Sequence, residues 1–256
     1  MNLHKIWKFL VIITLLSLLV ACSSGSSEES KGRVDGFYYS FDEIGITGNV
    51  IYSGRVTDYS GNNFHGQAVS IGKVHGKIGS GATFGFAEDA SIILEEISNY
   101  FPYETGFTFR AWLLTGNYPN KVQQIIGSTL NREPGSDGDG FGIAISGSRI
   151  IFELPEDPDF FQSTSPDLSF PPATWFHIAV TYDGENLSYF YNGDLVATDT
   201  VVTNFKSGFY NHIGSNKDAT SNGHSRTQFL ETIDEIYLEN RVMSSQEIMN
   251  YYLDTL

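Results

Sequence analysis

Short runs in which apolar residues alternate with polar ones recur from residue 36 to the end of the chain. The clearest are Phe37–Phe41, Phe107–Leu113 and Trp175–Tyr182. Further candidate strands are Ser91–Leu94, Gln124–Gly127, Phe141–Ile145, Ile150–Leu154, Leu187–Tyr191, Val196–Val201 and Ile233–Leu238. Because successive side chains of a strand point to opposite faces, this pattern predicts many short strands with one face toward a core, as in a sandwich or jelly roll.

The segments between these runs carry turn signals. Asp183-Gly184 and Asn192-Gly193 separate neighbouring runs, and both pairs tolerate the positive φ of tight hairpin turns. Ser244 and Glu247 have the spacing of a capping box just before Ile248, which predicts one short helix near the end of the chain. The predicted fold class is therefore all-β, with a single short C-terminal helix.

The first 22 residues have the organisation of a bacterial export signal. Lys5 and Lys8 precede the apolar run Phe9–Ala21, which is shorter than the ~20 residues that a membrane-spanning helix needs. The run ends in Leu19-Val20-Ala21-Cys22, which resembles the lipobox of bacterial lipoproteins, and Cys22 is the only cysteine. This resemblance implies cleavage after residue 21 and lipidation of Cys22, which anchors the protein to a membrane. The alternative is an incidental cysteine in a cleaved signal.

Composition defines the remainder of the chain. Residues 22–35 are rich in Ser, Gly and Glu and predict a flexible tether, whereas residues 36–256 are enough for one large domain. Ser23 and Ser24 lack the aspartate that retains many lipoproteins at an inner membrane, so the resemblance favours the outer membrane of a two-membrane cell. Without the two signal lysines, 13 basic and 30 acidic residues leave a net charge of 13 − 30 = −17. That charge argues against nucleic acid or an anionic membrane surface as a partner.

Several segments of this domain follow one another in a familiar order. They are Phe41–Glu43, Asp58–Gly66, Gly76–Phe84, Phe107–Trp112, Trp175–Gly184, Tyr191–Gly193, Ile213–Gly214 and Ile233–Arg241. In this succession the chain resembles laminin-G-like domains of the concanavalin A-like lectin and glucanase superfamily. The resemblance implies a jelly roll of two curved antiparallel sheets, often with a bound calcium ion, that binds carbohydrate or proteins of the cell surface and matrix.

A structural calcium ion is expected at four oxygen-bearing side chains. Asp234 alternates in phase with Ile236 and Leu238, and a carboxylate that faces a core is costly unless it is paired or metal-bound. Asp58 and Asn63 lie in a loop that the family resemblance brings near this strand, and Asp42 is a fourth candidate ligand. The alternative is that these side chains only accept hydrogen bonds from nearby backbone amides.

A ligand patch is expected on the outer face of one sheet. Arg110 and Trp112 are out of phase with the apolar residues of their run, and His177 is out of phase with those of its own. If the two strands are neighbours, these three side chains form an aromatic, hydrogen-bonding surface of the kind that sugars favour. The alternative is that other segments cover this face and bury the tryptophan in a second small core.

Catalytic motifs are absent from the sequence. It contains no Glu-x-Asp-x-x-Glu run of laminarinase-type relatives, no Gly-x-Ser-x-Gly and no P-loop, and its histidines lack metal-ligand spacing. The predicted function is therefore a non-catalytic, membrane-anchored lectin-like domain that binds a glycan. The alternatives are a protein-binding or adhesion module at the cell surface and, third, a divergent glycan-processing enzyme.

Overall fold

The strands of the protein follow the alternating runs of its sequence. The structure is a computed structural model that describes residues 36–43, 51–88, 90–94, 105–116, 118, 121–128, 141–155, 160–201, 211–215 and 228–256. Its strands are β1 (Gly36–Tyr39), β2 (Ile51–Val56), β3 (Gly66–His75), β4 (Ser80–Thr83), β5 (Ser91–Leu94), β6 (Phe107–Leu114), β7 (Val122–Ser128), β8 (Gly142–Ser146), β9 (Arg149–Pro155), β10 (Phe160–Thr164), β11 (Trp175–Tyr182), β12 (Asn186–Tyr191), β13 (Asp194–Thr200), β14 (Asn211–Ile213) and β15 (Thr232–Glu239). One helix, α1, spans Ser245–Asp254.

The strands pair in one continuous antiparallel path that folds over on itself. The order is β10-β9-β8-β7-β14-β5-β3-β4-β15-β6-β11-β12-β13, with β1 added beside β15 and β2 beside β3. The two halves of the path face each other, since Phe107 of β6 stacks on Phe141 and Phe152 at 5.3 and 6.1 Å. The ends also meet, because the Tyr189 hydroxyl of β12 donates to Ser163 Oγ of β10 at 2.7 Å. The predicted all-β jelly roll is confirmed.

The space between the two halves holds the main core. On β6 and β11 the apolar residues predicted to be in phase are all buried in this core: Phe107, Phe109, Ala111, Leu113, Phe176, Ile178, Val180 and Tyr182. Burying residues of this size removes several hundred Å² of apolar surface from water, at about 25 cal/mol per Å². The residues between them on each strand consequently lie on the outer face of the same sheet.

The Asn192-Gly193 turn and the N-terminal cap of the helix form as predicted. Asn192 and Gly193 have φ values of 50° and 85°, so this hairpin needs two residues that tolerate the left-handed region. Ser244 and Glu247 form the capping box of α1, in which the Ser244 amide donates to Glu247 Oε2 at 2.8 Å. Among the described residues no helix is both long and apolar enough to span a membrane.

Helix α1 lies on the outer face of the sheet. Its Ile248 is buried with Met243, Ala179 of β11 and Phe190 of β12 in a small second core. Ala179 and Phe190 are directly opposite each other in the β11–β12 pair, so they present one apolar surface to the helix. A ten-residue helix is marginal by itself, and this packing is what stabilises it.

Candidate ligand-binding site

The three residues of the predicted ligand patch do come together. β6 and β11 are paired neighbours, and in their register His177 lies opposite Trp112 while Ala179 lies opposite Arg110. The Trp112 and His177 rings are 5.5 Å apart in an edge-to-face arrangement. The alternation of the two runs is therefore sufficient to predict this proximity.

The patch is nevertheless covered by α1 and its last residues. Tyr252 of the helix stacks on Trp112 at 5.6 Å, and Trp112 Nε1 donates to Thr255 Oγ1 at 3.1 Å. Trp112 is 1% exposed and His177 is 0% exposed. Of the two alternatives that the sequence left open, the structure contains the covered second core, because the outer face offers apolar area that the helix buries. A glycan reaches these three side chains only if α1 moves.

Arg110 is held by aromatic rings rather than by a carboxylate pair. Its guanidinium carbon lies 3.4 Å from the Tyr237 ring centroid and 3.7 Å from that of Tyr251 of α1. Cation–π contacts of this kind contribute about 2 kcal/mol when they are desolvated. Arg110 Nε and Nη1 are buried without a hydrogen-bond acceptor, so the guanidinium retains unmet hydrogen-bonding capacity.

His177 lies deeper on the same face. Burial, reinforced by the positive charge of Arg110, lowers the pKa of His177 to about 3, so the imidazole is neutral at physiological pH. Neither of its ring nitrogens has a hydrogen-bond partner. A neutral, enclosed imidazole that contacts Tyr251 at 5.4 Å acts here as a packing residue.

Asp234 faces the opposite side from the one that its alternation predicts. The β15–β6 register shifts between Asp234, which lies opposite Trp112, and Tyr237, which lies opposite Arg110. Glu235 has a φ of 49°, and this β-bulge turns Asp234 and Glu235 to the outer face while Ile236 stays in the core. The prediction of a core-facing carboxylate is therefore wrong, because one inserted residue reverses the alternation.

The Asp234 carboxylate is satisfied by amides of the β3–β4 turn. Oδ2 accepts from the Ile78 amide at 2.9 Å, and Asp42 Oδ1 accepts from the Ser80 amide of the same turn at 2.9 Å. Gly76 and Gly79 allow this approach, since a Cβ there would lie 2.4 Å from Asp234 Oδ2 and 1.9 Å from Asp42 Oδ1. Burial, with the neighbouring Glu235 charge, raises the pKa of Asp234 to about 7 although the Ile78 amide opposes the rise.

Asp58, the third predicted calcium ligand, holds its own loop together. Oδ1 accepts from the amides of Tyr38 and Ser60, both at 2.9 Å. Oδ2 accepts from Ser60 Oγ at 2.8 Å and from the Phe64 amide at 3.0 Å. Asn63, exposed in the same loop, has a φ of 64°. This is the turn-capping alternative that the sequence left open.

The structure places the four predicted calcium ligands at two different sites. Asp58 and Asn63 belong to one loop, whereas Asp42 and Asp234 each accept from the β3–β4 turn. In the part of the chain that the structure describes, no three histidine, cysteine, aspartate or glutamate side chains are grouped to hold a metal ion. Calcium at these residues stays a prediction.

A row of four tyrosines at the edge of the covered face is the feature that the sequence did not reveal. In the tyrosine row, Tyr59 lies 6.2 Å from Tyr38, Tyr38 stacks on Tyr237 at 3.9 Å, and Tyr237 meets Tyr251 edge-on at 5.9 Å. Tyr59 is 49% exposed and the other three are partly exposed. One sequence signal could have indicated it: Tyr38 and Tyr237 each lie between core-facing residues of their strands, so both side chains point outward.

Carboxylates surround the tyrosine row. Glu235 Oε2 accepts from the Tyr38 hydroxyl at 2.7 Å and from the Tyr251 hydroxyl at 3.4 Å. Glu43 Oε1 accepts from the Thr57 amide at 2.8 Å, and burial together with the charge of this carboxylate raises the pKa of Tyr59. Burial raises the pKa of Glu235, and the charge of Asp42 raises it further while the Tyr38 hydroxyl lowers it. The row thus places one half-exposed ring, that of Tyr59, beside fixed hydrogen-bond acceptors, whereas Tyr38 and Tyr237 cover each other's faces.

The jelly roll and its aromatic outer edge define a lectin-like sandwich domain. A laminin G family model, described as the concanavalin A-like lectin/glucanases superfamily, matches residues 86–249, well over half of the chain, and the chain belongs to this superfamily. The family resemblance seen in the sequence is thereby confirmed. No curated protein sequence matches the chain.

Solved structures with a similar fold include several binding domains of botulinum neurotoxins. That of neurotoxin DC in complex with rat synaptotagmin II has a TM-score of 0.60 at 13% identity, covering 86% of this chain and 51% of that one. The same domain in complex with SialylT has a TM-score of 0.58 at 14% identity, covering 78% and 48%. A neurotoxin type C structure, described by its dependence on two ganglioside molecules for cell entry, has a TM-score of 0.59 at 15% identity, covering 81% and 51%. The chain thus spans about half of each, and the likeness shows the fold.

Proposed function

We propose that this protein is a non-catalytic glycan-binding lipoprotein whose jelly-roll domain is tethered to a membrane. The observation that carries the glycan-binding part is the tyrosine row, in which the half-exposed Tyr59 ring adjoins the carboxylates of Asp42 and Glu43. Sugars stack their C–H faces on aromatic rings while their hydroxyls donate to nearby acceptors. Tyr59 supplies the most exposed ring, and Glu43 is the acceptor beside it.

The relatives in fold support a binding role over a catalytic one. Several of the similar solved structures are described as binding domains, one of them in complex with SialylT, and another is described by the dependence of neurotoxin type C cell entry on two ganglioside molecules. Proteins of this fold are thus described with glycan ligands elsewhere in nature. We propose a glycan as the ligand because of the exposed Tyr59 ring, and the fold holds that ring in a fixed position.

The test of glycan binding is an array of diverse oligosaccharides probed with the purified fragment that starts at Ser23. We expect specific binding to a subset of glycans, and loss of the signal when free glycan of that subset competes. A folded protein, confirmed by circular dichroism, that binds nothing on a broad array would contradict the proposal.

The lipid anchor rests on the lipobox resemblance, since Cys22 lies outside the described residues. If the full chain is expressed in a bacterium, we expect it in the membrane fraction with an acylated Cys22 as its first residue. A Cys22→Ser variant is then expected to keep its signal peptide uncleaved and to lack the acyl chains, by mass spectrometry of the intact protein. A mature wild-type chain that retains Met1 would contradict this part of the proposal.

A protein partner is the second candidate function. Ile51 and Phe86 are 53% and 48% exposed, and the Phe86 ring lies over Gly72, which is opposite Ile51 in the β2–β3 pair. Adjacent exposed apolar side chains of this size are a common feature of protein-binding surfaces. One structure of similar fold is described in complex with a protein, rat synaptotagmin II. If the folded protein binds no glycan on the array, this function is favoured.

A further inference from the structure

The charge around the tyrosine row restricts which sugars it can accept. Asp42 and Glu43 are both exposed beside Tyr59, and Glu235 lies at the base of the row between the Tyr38 and Tyr251 hydroxyls. Because like charges repel and opposite charges attract across a partly desolvated surface, these carboxylates favour cationic ligands and disfavour anionic ones.

Nearby cations do not cancel this charge at the exposed end. The Arg110 guanidinium is enclosed between Tyr237 and Tyr251 and is 7% exposed, and the Lys73 ammonium lies 3.8 Å above the Tyr52 ring. Lys73 is itself 8% exposed, and the exposed Arg55 contacts His65, with its Nη2 2.6 Å from His65 Nε2. Three carboxylates consequently adjoin the row, whereas Arg110 and Lys73 are mostly shielded from solvent.

The interior of the row also has unmet hydrogen-bonding capacity. Arg110 Nε and Nη1 lack acceptors although the side chain is more than nine-tenths buried. A buried donor without a partner is unfavourable, and a ligand oxygen within hydrogen-bond distance would satisfy it. Because the Arg110 charge also acts on Glu235, this inner end of the row suits neutral hydroxyl oxygens, and the uncompensated negative charge lies at the exposed end with Asp42 and Glu43.

We propose that the tyrosine row binds an amino sugar, a hexose unit with a free ammonium group. Its ring stacks on Tyr59, its ammonium lies beside Glu43 and Asp42, and its remaining hydroxyls meet the polar groups of the row. The inference rests on the proposed glycan-binding function and names the chemical class of its ligand. Sialylated and sulfated sugars are excluded by the same carboxylates.

The experiment is isothermal titration of the purified domain with three oligosaccharides of similar length. They are a β-linked glucosamine oligomer, its fully N-acetylated counterpart and a sialylated oligosaccharide, at about pH 6, where a free amine keeps its proton. We expect the glucosamine oligomer to bind about tenfold more tightly than the acetylated one, with no binding of the sialylated sugar. Added salt is expected to reduce the difference, since it screens exposed charges.

Variants separate stacking from charge. Glu43→Gln is expected to abolish the preference for the free amine while leaving the acetylated oligomer bound as before. Tyr59→Ala is expected to weaken both by about tenfold, whereas Tyr59→Phe keeps the ring and retains binding. Glu185→Gln and Leu195→Ala, which change an exposed carboxylate and a 51% exposed apolar residue elsewhere on the domain, are the matched controls.

The outcomes distinguish this inference from the function on which it rests. Equal or tighter binding of the sialylated sugar, or an unchanged amine preference in Glu43→Gln, would overturn the amino-sugar assignment. Glycan binding that Tyr59→Ala leaves intact would overturn the site while the proposed function stands. If neither the titrations nor the array detect binding of any glycan, both fail together.

Discussion

The Trp112→Ala variant is expected to lose about 4 kcal/mol of unfolding free energy, as large aromatic residues do when they are truncated in a core. Trp112 is 1% exposed, stacks on Tyr252 and donates from Nε1 to Thr255 Oγ1. The Lys77 ammonium also lies 4.5 Å above its ring. Removing the indole leaves a cavity between the sheet and α1 and detaches the end of the helix. Urea unfolding followed by circular dichroism measures the loss.

A second tryptophan gives the matched control. Trp175 begins β11 and is only half-buried, so Trp175→Ala is expected to cost about 1 kcal/mol. Trp112→Phe, which keeps a ring against Tyr252, is expected to fall between the two. A Trp112→Ala protein that is as stable as wild type but no longer binds its glycan would mean that the indole is a ligand surface and that α1 is displaced in solution.

The Asp58→Ala variant is expected to lose about 3 kcal/mol, because four hydrogen bonds to a buried carboxylate disappear together. The amides of Tyr38 and Phe64 would be left without their acceptor, and the loop that carries Tyr59 would lose its anchor. The measurement is urea unfolding of the variant and the wild type, each with calcium and with a chelator. The same loss of stability is expected in both solutions.

Asn63→Gly separates a turn-capping role of this loop from a calcium site. Glycine retains the left-handed backbone at φ 64° but removes the amide oxygen that a calcium ion would need. We expect its stability to match that of wild type in both solutions. Stabilisation of the wild type by calcium that vanishes in both Asp58→Ala and Asn63→Gly would instead establish these residues as ligands.

Strands and core were predictable wherever alternation was regular. In β6 and β11 every second residue enters the main core, because both strands pair without a bulge along their shared length. The Asn192-Gly193 turn and the capping box of Ser244 and Glu247 were equally predictable, since each depends on bonds within a few residues.

The candidate site was predictable only in part. Alternation brought Arg110, Trp112 and His177 to one face, but it contains no information about what covers that face. The orientation of Asp234 was not predictable by the same rule, because the bulge at Glu235 inserts a residue into one strand of a pair. A β-bulge depends on the packing and hydrogen bonding of both paired strands. The alternation of residues along one strand therefore does not reveal it.

The tyrosine row shows most clearly what the sequence could not predict. Its rings come from β1, the Asp58 loop, β15 and α1, and residues 38 and 251 are more than 200 positions apart in the chain. Contacts over such separations depend on how the sheet folds over and where the helix docks. These are collective outcomes of packing, so neighbouring residues in the sequence carry no signal for them.

The all-β class, the core-facing sides of the regular strands, the hairpin turn and the capped helix were readable from the sequence, because periodicity and short-range hydrogen bonds specify each of these locally. The family was readable from the order of its segments. The cover of α1 over the predicted ligand patch, the anchoring of its loop by Asp58 and the row of four tyrosines were visible only in the folded structure. Each of these depends on apolar area and hydrogen-bond donors supplied by distant segments, which meet only when the two halves of the sandwich close.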